Sequence, residues 1–116
     1  MTLESFYAAV GGNYADTLRR LYSEALVRKF VLKYQQDGTF AELQAAHAAA
    51  DWETAFRAAH TLKGIALNLG FERLYTAAAA LTEALRGPRA LTDEALYEAV
   101  AREHAALLEA IAALDG

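Results

Sequence analysis

His60, Lys63, Gly64 and Leu67 stand at i, i+3, i+4 and i+7 in the sequence, which on an α-helix is a single face. At about 100° per residue, Trp52–Leu69 divides into two sides. Ala55, Ala58, Ala59, Leu62, Ile65, Ala66 and Leu69 form an apolar side and predict the core. His60 and its three companions form the other, with Phe56 and Arg57 flanking them one turn earlier. The imidazole is therefore expected to face solvent. Most lone helical histidines are packing or surface residues, but this one has unusual neighbours. Glycine inside a helix costs about 1 kcal/mol relative to alanine, and Gly64 would open the approach to the ring. Lys63 sets a cation beside it.

The chemistry that suits this group is nucleophilic attack on phosphorus. An imidazole in water titrates near about 6.5 and is largely neutral at neutral pH, so a ring nitrogen offers its lone pair without a general base. The phosphoimidazole product is anionic, and an adjacent ammonium group offsets that charge as it develops. No Mg²⁺ site is evident in the sequence, so the metal is expected to come with the phosphoryl donor. Phe56 and Leu67 add apolar area to a face that should be solvated, as a docking patch does. Arg57 and Tyr75 stand at its expected edge. Ordinary packing of Phe56 against the N-terminal helices is the competing expectation.

The elements that hold this face all read as helix, since alanine and leucine dominate and strand-type alternation is absent. Gly11-Gly12 ends a first helix over about Leu3–Val10. Asn13 caps a second over Tyr14–Tyr22, with Asp16 in its first turn. Ser23-Glu24 opens a third, because Leu18, Leu21, Tyr22 and Ala25 share one stripe and Val27, Phe30, Val31 and Tyr34 another, roughly opposite. Gly38 closes that segment. Thr39-Phe40-Ala41-Glu42 reads as a capping box opening a helix to about Ala49. Asp51 caps Trp52–Leu69 and Gly70 ends it. Glu72–Arg86 follows, stopping at Gly87-Pro88. Thr92-Asp93-Glu94 starts the last helix, which runs to about Leu114. Such short connections imply antiparallel neighbours. The expected fold is all-α, an up-and-down four-helix bundle over residues 23–114, with additional short N-terminal helices in residues 1–22.

Composition bounds the function. A chain of 116 residues with 55% hydrophobic and 22% charged residues fits one globular domain. The absence of cysteine removes disulfides, thiolate metal sites and cysteine nucleophiles, and is compatible with a cytoplasmic location. A net charge of −4 argues against nucleic acid as a partner. No apolar run approaches the roughly 20 residues that span a bilayer, and no secretion signal is read at Met1–Ser5.

Ala59-His60-Thr61-Leu62-Lys63-Gly64 followed by Asn68-Leu69-Gly70 resembles the signature of bacterial histidine phosphotransfer (HPt) domains: His-x-x-Lys-Gly, then a glycine six residues on. Ala50-Asp51-Trp52 and Leu81-Thr82-Glu83 fit the same pattern, and the resemblance covers about Ser23–Arg86. It implies that His60 is phosphorylated, that Lys63 assists and that Gly64 leaves room for an incoming receiver domain. It also implies that response-regulator receivers and a hybrid histidine kinase are the partners. The receiver would supply the phosphoaspartate and the Mg²⁺, and this chain would hold no cofactor and no kinase activity. The sequence departs from many relatives in carrying Ile65 and Leu67 after the glycine. Leu67, on the His60 face, is expected to tune partner choice. A monomer is the default, since one histidine needs no partner subunit.

Two other readings are weaker. A di-iron bundle needs inward Glu-x-x-His pairs, which are absent here. A pure scaffold bundle would have no need of His60 and Lys63 together. His47 reads as a plain surface histidine near a helix end, and His104 as a half-buried packing residue beside Leu96, Val100, Leu107 and Ile111. Trp52 reads as a packing anchor.

Overall fold

The computed structural model describes residues 1–115, with the side chain of Asp115 not included. Seven α-helices follow one another: α1 (Leu3–Ala9), α2 (Tyr14–Leu21), α3 (Glu24–Lys33), α4 (Thr39–Ala48), α5 (Trp52–Leu69), α6 (Glu72–Leu85) and α7 (Glu94–Asp115). No strand occurs among the described residues.

The four-helix bundle is α5, α6 and α7 with α3 and α4 sharing the remaining position. Contacts across that seam give its direction. Arg28 donates to the Leu114 carbonyl at 3.1 Å, Tyr34 meets His104 at 2.7 Å, and His47 meets Glu94 at 2.6 Å. Residue numbers rise along one side as they fall along the other, so α3–α4 runs antiparallel to α7. Rings fill the upper half of this seam. His47 lies face to face with Tyr97 at 3.8 Å and 2°, and Phe40 stacks on His104 at 4.3 Å. The core beneath is apolar and continuous, and it takes in Leu3, Phe6, Tyr7 and Val10 of α1 as well as Leu62, Leu81, Val100 and Ile111 of the bundle.

Several local expectations change. Thr39 does not cap α4: it is the first helical residue, and the Asp37 carboxylate accepts its N–H at 2.8 Å. An Asx acceptor two residues back has replaced the capping box. The segment before it ends its α-helix at Lys33 and tightens into a 3₁₀ turn over Tyr34–Gln36, ahead of Gly38. Tyr22 does not join the apolar stripe of Leu18 and Leu21. It terminates α2 in the left-handed conformation, φ 68°, which swings its ring outward and leaves it 90% exposed. His47 is not a plain surface histidine, since the Tyr97 ring covers it and Glu94 holds its Nε2. His104 is the half-buried packing residue expected, hydrogen-bonded through Nδ1 to the Tyr34 hydroxyl.

Candidate functional site

The helix α5 owes its start to Asp51, whose carboxylate accepts the Thr54 N–H at 3.2 Å, and its end to Gly70, which adopts φ 73°. A Cβ at Gly70 would collide with Thr17 Oγ1, so both the conformation and the close approach of α2 require glycine. Between these ends the wheel holds. Ala55, Ala58, Ala59, Leu62, Ala66 and Leu69 are buried. Ile65, counted with them in sequence, is only half-buried, because it lies at the margin next to α3.

His60 is exposed on the opposite side. Gly64, one turn on, is open: a Cβ there would have nothing within 4 Å. Lys63 is half-buried beside it. One turn before His60, the Phe56 ring lies nearly parallel to the imidazole, and the Arg86 guanidinium sits 5.4 Å from the Phe56 centroid. Phe56 is partly buried at the edge of the core. Its ring meets His60 and Arg86, whereas the hydrogen bonds from α1 and α2 close the far end of α5.

That closure is specific. The carbonyls of the last turn of a helix have no partner within it, and here four consecutive ones find partners in the first twenty residues. Arg20 donates to Leu67 and Asn68 at 3.0 and 2.8 Å, the Tyr7 hydroxyl donates to Leu69 at 2.7 Å, and the Asn13 N–H donates to Gly70 at 2.9 Å. Burial pushes the Tyr7 phenol up to about 12, so it remains a donor. The N-terminal helices therefore brace the helix that carries His60 without covering His60.

The other docking candidates separate. Leu67 is 58% exposed, two turns along from His60, and it lines one cleft with Tyr75. Arg57 is exposed but turned toward Glu53 and Thr54, at 3.5 Å from each. Glu83 enters the sequence pattern only as part of Leu81-Thr82-Glu83, and its pairing with Arg86 beside the His60 face is not foreseen there. Arg86 grips Glu83 through Nη2 at 2.8 Å, and this hydrogen-bonded guanidinium holds the carboxyl below the usual carboxylate range, with a smaller contribution from Lys63. An i, i+3 Glu–Arg pair at the end of the helix following His60 was the available signal. Lys63, Glu83, Arg86 and Phe56 thus make a charged and aromatic border along one side of the imidazole. Among the described residues no group of three or more His, Asp or Glu is arranged to hold a metal ion, and no helix is long and apolar enough to cross a membrane.

No curated protein and no solved structure matches the chain. A family model does: the Hpt domain, over residues 26–116. The match takes in the whole of α4–α7 and most of α3, and leaves α1, α2 and the turn after them outside. Hpt domains act as histidine phosphotransfer carriers in phosphorelays and interact there with receiver and kinase domains. With the match spanning most of its length, this chain belongs to the Hpt domain family.

Proposed function

We propose that His60 is the phosphoryl carrier, taking the group from a phosphoaspartate on one receiver domain and passing it to another. The observation that carries this reading is the open approach to His60: the ring is exposed, Gly64 adds no side chain beside it, and α1–α2 lie elsewhere. In the transfer the imidazole Nε2 attacks phosphorus. An N–P bond forms, the P–O bond to the aspartyl carbonyl breaks, and the aspartate leaves as carboxylate with the bonding pair. The proton on the second ring nitrogen is released to water. Lys63 pairs with the phosphoryl oxygens and offsets the charge that arrives with them. The reverse sequence delivers the group to the next receiver. In this reading Mg²⁺ comes with the receiver, the chain works as a cytoplasmic monomer, and the donor receiver belongs to a hybrid histidine kinase.

The test is incubation with phosphorylated receiver domains. Acid-labile, alkali-stable label is expected on this chain, and none on His60→Gln. Label that persists in His60→Gln would move the site. A chain that binds receivers yet never takes label would be a scaffold.

A further inference from the structure

Beyond Leu67, at the end of the His60 face, a cleft of about 320 Å³ opens between α2, the end of α5 and the start of α6. Asp16 and Arg20 line it from the N-terminal element, and Leu67, Glu72, Tyr75 and Thr76 from the bundle. Part of its wall, Asp16 and Arg20 with Asn13, thus comes from residues outside the family match.

The Asp16 carboxylate on this wall is held by two guanidiniums, Arg19 at 3.3 Å and Arg20. The Arg20 guanidinium also donates to the carbonyls of Leu67 and Asn68. Its positive charge is committed to a carboxylate and to the negative end of the α5 dipole. Glu72 is exposed and takes part in no ion pair among the described residues. The cleft therefore presents at its rim the Glu72 carboxylate, which has no ion-pair partner among the described residues, and the apolar surfaces of Leu67 and Tyr75 within it. A lysine or arginine fits this arrangement, with its stem against Leu67 and Tyr75 and its head at Glu72.

The position of the cleft points to the partner. A typical protein interface covers about 800 Å² on each side, a disc of about 16 Å radius. Seven helical residues advance about 10 Å, so a domain centred on His60 overlies Leu67 and reaches the cleft. We propose that the cleft is a second contact for the receiver that docks on His60, that it accepts a basic side chain of that receiver, and that α2 thereby helps to select the partner. This rests on the reading of His60 as the carrier.

The experiment measures the second-order rate of transfer from a phosphorylated receiver that labels the unaltered chain. Variants Glu72→Lys, Glu72→Gln and Thr76→Phe are compared with it, the last filling the cleft without altering charge. Melting temperatures check that each folds. Glu72→Lys is expected to slow transfer about tenfold, and the other two severalfold. Added salt should slow the unaltered chain, leave Glu72→Gln nearly unaffected and partly restore Glu72→Lys. Rates within twofold of the unaltered chain in all three folded variants overturn the inference. Phosphoramidate, a small donor that needs no docking, separates the two readings. An unaltered chain that takes label neither from it nor from any receiver removes the carrier role and this inference together.

Discussion

The His60 imidazole and the Phe56 ring lie in planes 13° apart with their centroids separated by 6.2 Å. The two rings share an orientation on one face of α5, and His60 remains exposed beside Phe56. Phe56 is partly buried, and its loss should cost about half of the roughly 3–5 kcal/mol typical of a buried ring. Phe56→Ala is expected to lower the melting temperature and to slow transfer from a receiver. Phe56→Tyr, which keeps the ring, should restore both. Transfer unaffected by Phe56→Ala would show that the ring serves packing alone.

Gly64→Ala is expected to separate stability from function. Because a Cβ there meets nothing, alanine should add about 1 kcal/mol of helix stability, or about 4 °C in melting temperature. Transfer from a receiver should nonetheless fall by tenfold or more, while phosphoramidate labelling continues. A faster or unchanged receiver reaction would mean that the partner does not approach over this glycine.

Leu67→Ala removes a side chain that is 58% exposed, so the melting temperature should move by only a degree or two. Transfer to the cognate receiver is expected to slow more than transfer to non-cognate ones. A large loss of stability with unchanged rates would assign Leu67 to packing.

Arg20→Met takes away both hydrogen bonds to the end of α5. Charge-assisted bonds contribute about 1.5–3 kcal/mol each when sheltered, and the partial exposure of this guanidinium reduces the expected total to about 1–2 kcal/mol. Amide exchange should quicken over residues 67–71, while amides near His60 keep their protection. Uniform quickening along α5 would show that Arg20 supports the whole helix.

The pH dependence should centre on His104. Burial holds its folded pKa below the ordinary value, with Asp37 opposing the shift weakly. The unfolded chain therefore binds this proton first as pH falls. The stabilisation from neutral His104 is fully present above about 6.5 and is lost as pH drops through the lower folded value. Melting temperature is expected to fall from pH 7 to pH 5, and His104→Phe, which can still stack on Phe40, should flatten that slope. An unchanged slope would assign it to other groups.

The face of α5 was legible because burial on a helix repeats every 3.6 residues and this helix is sharply two-sided. Ala55, Ala59, Leu62 and Ala66 could be assigned to the core, and His60 to solvent, from spacing alone. What escaped was set by contacts between distant residues. His47 sits among alanines, and the Tyr97 and Glu94 that cover it lie some fifty positions away. Glu83 and Arg86 join the His60 border only because α6 packs against α5. Thr39 and Tyr22 were misread for local reasons: Asp37 outcompeted the threonine as a cap, and a left-handed tyrosine stands where glycine or asparagine is usual.

The bonds that α1 and α2 make to the last turn of α5 bear on where the chain can be cut. A fragment begun at residue 26, where the homology begins, would discard Tyr7, Asn13 and Arg20 in one stroke. It would also uncover Phe71, against which Phe6 and Tyr7 pack. The start of the family match falls inside this bonded and packed unit, so a trimmed fragment should fray first at the end of the helix that holds the histidine.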